Sequence, residues 1–470
     1  MDNVAERILA AAAGFMSDWI LVPVLLCAAI FFTIITRGVQ FTMVPEMLRL
    51  LCRSVRRDSE HSRHGVSSFQ AFAVSIASRV GTGNLAGVAS AIAIGGPGAV
   101  FWMWVIALLG AASAFAESTL AQLFKVRGKD NFYGGPAYYI SRGLGSRAWA
   151  VTFAVLITVT FGLAFNSVQS NTIADALAEA GGISPDLTAV AVALLTLAII
   201  WGGIRRISRF SEVVVPVMAV AYIILAIVII IMNIRSLPAV LETIVSNAFG
   251  VGQAVGGTFG MAVVMGVKRG LFSNEAGEGS TPNAAATASV SHPVKQGLIQ
   301  ALGVYTDTLI ICSCTAFIIL CSGLYIEGHD GIVLTQKAID AGLGTGGRIG
   351  SIFVAVAIFF FAFTSIVANY YYGETNLRFI TQRRGLLTVY RLAVGGMVLW
   401  GGMASLDTVW AFADVTMALM TLCNLLAIVL MYRWVAILLQ DYRRQLPLGD
   451  PVYHRSLIPS LKSVTMAWPE

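Results

Sequence analysis

Charge is in short supply in this chain. Only 12% of its 470 residues are Asp, Glu, Lys or Arg, while 57% are hydrophobic and the mean hydropathy is +0.78. Soluble domains carry roughly 25% charged residues, so the composition excludes a soluble globular protein and makes the chain an integral membrane protein. Histidine is scarcer still. The five histidines are scattered through predicted loops, which excludes a histidine-built metal or catalytic centre. Six cysteines include a C-x-C at Cys312 and Cys314 inside an apolar run, but no C-x-x-C with matching histidines occurs, so they read as packing rather than as a metal site or disulfide framework. G-x-S-x-G, H-E-x-x-H and paired acids with an intramembrane histidine are also missing, which argues against an enzyme. The amino terminus lacks a basic flank leading to a short apolar segment and cleavage site, so the apolar run at 19–35 is expected to be a retained helix.

What is there is a succession of apolar runs. A membrane span needs about 20 mostly apolar residues. Eleven stretches qualify, near 17–36, 67–94, 97–124, 149–178, 187–203, 210–232, 249–267, 296–322, 349–376, 386–403 and 408–432. The formal net charge of +6 does not call for a nucleic acid partner, because the basic residues mark one face of a membrane. When alternate connections are placed on opposite sides, one side receives 26 of the 31 Lys and Arg. By the positive-inside rule that side is cytoplasmic, so the amino terminus is expected outside and the carboxyl terminus inside. Connections 44–57 and 132–141 are amphipathic and are expected to lie along the inner surface. The tail from 433 to 470 is too short for a separate domain, so 1–470 reads as one polytopic unit.

One span is spoiled near its centre. The stretch ASRVGTGNLAGV, residues 77–88, puts Gly81, Thr82, Gly83 and Asn84 at membrane depth. Unpaired backbone in lipid costs several kcal/mol, so an interruption survives only against protein, water, an ion or a substrate. A broken helix presents amide N–H groups that suit a carboxylate and freed carbonyls that suit a small hard cation. Span seven carries a second glycine-rich stretch, VGGTFGMA at 255–262, five spans later. Interrupted segments in corresponding positions of two halves point to an inverted-repeat transporter with its site at the midplane. Two further polar clusters fit that site. FNSVQSN at 165–171 brings Asn166 and Gln169 to one helix face, and FAFTSIVANYYYGE at 361–374 offers the hydroxyls of Thr364 and Ser365.

Taken with GGPGAVFWMWVIALLG at 95–110 and RGLFSNEAGEGSTPNAAA at 269–286, these stretches resemble the signatures of the alanine/glycine:cation symporters, usually called sodium:alanine symporters. The resemblance runs through all eleven spans. It implies a secondary transporter of the amino acid, polyamine and organocation superfamily, with the all-α fold of the bacterial leucine transporter. That fold has five plus five inverted helices, here about 67–232 and 249–432, one extra amino-terminal helix at 17–36, and two discontinuous helices in spans two and seven. The implied cargo is a small neutral amino acid imported with Na⁺, in a bacterial inner membrane, with no cofactor. By motif, Gly81, Thr82 and Gly83 match the segment that holds the substrate carboxylate. Asn84, Phe165 and Gln169 match substrate contacts, and Thr258 and Phe259 match the second break. Thr364 and Ser365 match a hydroxyl pair at a sodium site completed by carbonyls near Ala77 and Val80. Where the family pattern often has tryptophan before the tyrosine run, this chain has Asn369, implying a pocket open to a larger or more polar side chain.

Charges inside the spans need partners. Arg79 lies one turn before the first break, and Asp307 and Glu117 are its candidate partners, as an ion pair or inner gate, or as a proton-carrying acid. Glu275 and Glu278 are expected in the segment after span seven, as loop or gate residues. The polar clusters offer neutral oxygens rather than a carboxylate, which favours Na⁺ over H⁺, with a raised Asp307 as the exception. A symporter for a larger amino acid such as glutamine, a proton-driven one, and a channel-like pore are the competing readings.

Overall fold

The computed structural model describes residues 4–57, 65–128, 131–201, 204–250, 259–344 and 347–469. Among them, seven helices are long and apolar enough to cross a membrane. The first, α1 (Arg7–Ile35), is followed by the amphipathic α2 (Val44–Arg57), as its charge pattern anticipates. The second span is two pieces, α3 (Ser68–Arg79) and α4 (Gly83–Gly95). A capping box between Ser67 and Gln70 starts α3, and Val80, extended at φ −77° and ψ 95°, ends it. Gly96 at φ 73° and Pro97 then turn the chain into α5 (Gly98–Leu123).

Connection 132–141 is part strand and part helix. A two-stranded hairpin, β1 (Val126–Arg127) with β2 (Phe132–Tyr133), precedes α6 (Pro136–Gly143), because Gly134 and Gly135 break the run and Pro136 fits only a first turn. Next come α7 (Arg147–Gly181), α8 (Pro185–Ile200) and α9 (Ile204–Met232). The chain bends by 76° into α10 (Leu237–Ala248), a helix that its short apolar run gave no reason to expect. The second half holds α11 (Phe259–Asn274), the single turn α12 (Thr281–Ala285), α13 (Pro293–Ser322) and α14 (Gly331–Leu343). It closes with α15 (Ile349–Ile380), α16 (Arg384–Met403), α17 (Leu406–Leu430) and α18 (Tyr432–Gln445).

Helices five spans apart pack on one another: α5 on α13, α7 on α15, and α8 on α16. Two groups result. The broken helix, α5, α11 and α13 form one, and α7, α8, α15 and α16 form the other, with the first break facing α7 and α15. Small residues permit this closeness. A Cβ on Gly266 or Gly297 would collide with the α5 backbone, and one on Gly401 with the α7 backbone.

After α18 the chain folds back over the ends of the spans. Tyr453 N–H donates to Ser291 O at 2.9 Å, Trp468 Nε1 donates to Gln122 O at 3.0 Å, and Lys295 pairs with Asp450 at 2.6 Å. His292 is buried beneath this tail. Its Nδ1 accepts from Val294 N–H at 3.2 Å and its Nε2 lies 3.4 Å from Asp441.

Candidate binding site at the broken helix

The break between α3 and α4 is wholly buried, and side chains hold its backbone. Gly81 N–H donates to Asn84 Oδ1 at 2.9 Å. Thr82 gives both its N–H, at 3.1 Å, and its hydroxyl, at 2.7 Å, to Gln169 Oε1 on α7. On the other side of the chain, Ser365 Oγ on α15 reaches Ala77 O at 2.9 Å, Val80 O at 3.4 Å and Phe361 O at 2.9 Å. Thr364, one residue earlier, gives its hydroxyl proton to Phe361 O at 2.9 Å within its own helix, which leaves the oxygen's lone pairs uncommitted. Space here is tight enough to demand glycine. A Cβ on Gly81 would lie 2.5 Å from Ser365 Oγ and 2.9 Å from Gln169 Oε1, and one on Gly83 would lie 3.0 Å from Ser273 Cα on α11.

Residues 251–258, and Thr258 with them, lie outside the described residues. Phe259 opens α11 47% exposed, its ring 6.1 Å from that of Trp102. It stands roughly 20 Å along α11 from Ser273, at about 1.5 Å per residue, and so does not line the pocket at the first break. The chain also unwinds over 275–280, between α11 and α12, with Glu275, Gly277 and Gly279 at φ 56°, 91° and 85°. A buried carboxylate organises this turn. Glu117 on α5 accepts the N–H of Gly277 at 3.1 Å, the N–H of Gly279 at 3.0 Å and the amide of Asn424 at 2.8 Å.

Neither acid is ion-paired to Arg79. That guanidinium donates to Thr281 Oγ1 at 2.9 Å and Gln300 O at 3.2 Å. Asp307 on α13 instead accepts from Asn84 Nδ2 at 2.6 Å, Ser273 Oγ at 2.7 Å and Thr308 Oγ1 at 2.9 Å, joining the first break to α11. Cys312 completes the cluster, its Sγ 3.3 Å from Asn84 Nδ2 and 3.1 Å from Ser273 Oγ. The expected ion pair fails for a geometric reason: hydroxyls and backbone reach each group first.

Closed layers lie on both sides of the break. On one side Phe165, Phe272 and Trp410 pack in sequence as tilted rings, with centroids 4.5 and 4.6 Å apart. Above them Arg269 lies 3.9 Å over Trp410 and pairs with Asp414 at 3.1 Å, while Lys268 pairs with Asp414 at 3.2 Å. These two cations belong to α11, not to a connection between spans, as the alternation of spans had them. On the other side Glu275 accepts from Ser78 at 2.6 Å and from Ser280 at 2.6 Å, and Asn369 Oδ1 accepts from the same Ser78 at 3.0 Å. The Nδ2 of Asn369 is buried without a partner.

The fold thus brings together Ala77, Val80, Gly81, Thr82, Gly83, Asn84, Gln169 and Ser365, with Thr364 alongside. The sequence pattern overlooked Ser273, Thr308, Phe272, Trp410 and the pair Arg269–Asp414. Polar residues at helical spacing in α11 and α13 were the available signal for the first two.

Three comparisons bear on this arrangement. A family model described as the sodium:alanine symporter family matches residues 1–455. The chain is 51% identical to the amino-acid carrier protein AlsT of Bacillus subtilis over 94% of this chain and 93% of the relative, and 47% identical to the probable sodium/glutamine symporter GlnT of the same organism over 100% and 97%. Among solved structures, MhsT in complex with L-phenylalanine superposes with a TM-score of 0.61 at 16% identity, covering 86% of this chain and 97% of that one, so the leucine-transporter fold is shared.

Proposed function

The chain belongs to the sodium:alanine symporter family and is a transporter rather than an enzyme; from that premise we propose that it imports a small neutral amino acid, alanine or glycine, together with Na⁺ by alternating access. One observation carries the reading. The amides of Gly81 and Thr82 are capped by side-chain oxygens of Asn84 and Gln169, the positions that the two oxygens of an amino acid carboxylate would take. The carbonyls of Ala77 and Val80 with the hydroxyls of Ser365 and Thr364 form an all-oxygen set suited to Na⁺. Phe165, Phe272 and Trp410 cover the substrate's side chain.

In this mechanism no covalent bond changes. Na⁺ draws Ser365 and the end of α3 into one arrangement, and that fixes the amides that receive the carboxylate, so ion and amino acid raise each other's affinity by the same factor. The aromatic layer with Arg269–Asp414 closes one path, and the Ser78–Glu275–Asn369 layer closes the other. Movement of one helix group against the other opens them in turn. Repeats at about 67–232 and 249–432, an outside amino terminus and a cytoplasmic carboxyl terminus in a bacterial inner membrane belong to the same proposal. The alternation of basic connections supports the orientation, with Lys268 and Arg269 withdrawn from it.

A second substrate reading rests on Asn369. Its unpartnered amide is a donor for a polar substrate side chain, and GlnT is a relative named for glutamine. Proteoliposomes of the purified protein test both. Labelled alanine or glycine should accumulate above its outside concentration under an inward Na⁺ gradient alone. Accumulation of glutamine only would move the substrate assignment to Asn369, and accumulation with H⁺ only would remove Na⁺. Absence of accumulation under every gradient would favour a pore.

A further inference from the structure

A cleft of about 430 Å³ lies where α15 ends and α16 begins, far along α15 from Thr364 and Ser365. Four arginines line it: Arg378, Arg383, Arg384 and Arg391. One carboxylate answers them. Glu374 takes Arg378 at 2.7 Å and lies 3.9 Å from Arg391, which also donates to Tyr370 Oη at 2.9 Å. Arg383 and Arg384 are exposed, and their guanidinium groups pair with no acid among the described residues.

Apolar surface adjoins this charge. Leu386, Val389 and Leu392 recur at helical spacing on the neighbouring face of α16 and are 44%, 60% and 54% exposed. Trp201, 49% exposed at the end of α8, lies 5.9 Å from the Arg391 guanidinium. Half-exposed tryptophan beside arginine marks the headgroup level of a bilayer, and the leucine and valine stripe then faces acyl chains. Cationic fork and apolar stripe together fit one chemical class.

We propose that this cleft binds the headgroup of an anionic phospholipid, its phosphate held by Arg383 and Arg384 and its acyl chains laid against Leu386 and Val389. A basic pocket between spans is the usual form of such a site, and guanidinium forks match phosphate oxygens two at a time. The bound lipid sits at the start of α16, beside the end of α15, the helix that carries the hydroxyls of the ion site.

The test uses the purified full chain stripped of lipid and titrated in native mass spectrometry with phosphatidylglycerol, phosphatidylcholine or glycerol 3-phosphate. Phosphatidylglycerol should be retained over phosphatidylcholine by about 25-fold, taking each of two basic residues as worth about a factor of five. The double variant Arg383→Gln, Arg384→Gln should lose that preference with an unchanged melting temperature, since neither side chain is packed. Arg383→Lys, Arg384→Lys should keep part of it, because charge remains and the paired fork is lost. Equal retention by the wild type and the glutamine variant would overturn the proposal. So would equal retention of the two lipids, and displacement of phosphatidylglycerol by equimolar glycerol 3-phosphate would show a free-phosphate site instead.

Discussion

Gly81→Ala adds one methyl group at the point where the break is most crowded. The new Cβ would stand 2.5 Å from Ser365 Oγ, 2.9 Å from Gln169 Oε1 and 3.2 Å from Gln169 Nε2, against an ordinary contact of 3.4 Å or more. Gly81 is not among the glycines at positive φ, so backbone strain plays no part and the cost is steric. Relief requires both side chains to withdraw. Ser365 would leave the carbonyls of Ala77 and Val80, and Gln169 would leave the amide of Thr82. Overpacking a tight interior costs about 1–3 kcal/mol. Charged to the bound state, that weakens Na⁺ or alanine affinity by about 5- to 150-fold at 1.4 kcal/mol per tenfold. Gly396→Ala is the control, because a Cβ there meets nothing within 4 Å and a helical alanine gains a few tenths of a kcal/mol. The assay is Na⁺-dependent alanine binding by scintillation proximity on both variants, with melting temperature as the fold check. Wild-type affinity for both ligands in a folded Gly81→Ala protein would refute the assignment of the site to this break.

Ser365→Ala should raise the Na⁺ concentration for half-maximal uptake at least tenfold, since it removes an oxygen that faces two break carbonyls; Thr364→Ala should weaken coupled uptake too, and normal sodium dependence in both would remove the ion site from α15. Asn84→Ala should abolish coupled uptake while folded protein persists, because it frees both the Gly81 amide and the Asp307 carboxylate; uptake at the wild-type rate would contradict this. Glu117→Ala should lower the melting temperature more than Glu117→Gln, as it leaves the buried amides of Gly277 and Gly279 without acceptors at about 1–3 kcal/mol each, and equal melting temperatures would count against the role given to Glu117. Burial pulls His292 down to about 4, against the weaker opposing pull of Asp441. An undocked, hydrated His292 takes up a proton near pH 6.5, so docking of the tail should weaken as pH falls from 6.5 towards 4 and should be insensitive to His292 above that range. Limited proteolysis of the tail across this range should show that slope, and the slope should vanish in His292→Gln.

Much of the fold is legible because lipid imposes a length rule. The limits of α5, α7, α15, α16 and α17 follow from apolar runs, and the break at Gly81 follows from glycines and an asparagine where only a site tolerates them. The unwound turn at 275–280 is not legible in the same way. Gly277 and Gly279 carry the same local signal as other glycine pairs in the chain, and what marks them out is Glu117, which lies 160 positions from Gly277 and accepts from both their amides. Arg79 shows the same limit. Its charge demanded a partner, but sequence offers no way to know that Thr281 and a carbonyl lie nearer than any acid. Lys268 and Arg269 misled the count of connections because their compensation by Asp414 comes from a helix 145 residues away. Short helices such as α10 and α14 escape notice since neither has the length of a span.

The amides of Gly81 and Thr82 and the carbonyls of Ala77 and Val80 already have protein partners at the first break. Gln169 Oε1 takes two donors from Thr82, Asn84 takes one from Gly81, and Ser365 is shared among three carbonyls. An arriving amino acid and ion therefore exchange partners rather than fill unmet needs, and the enthalpy released is the small difference between two satisfied networks. Such a site holds its cargo loosely by construction. For a carrier this is an advantage, because residence time limits turnover, and a pocket that gripped its cargo far more strongly than it grips itself would load once and stall.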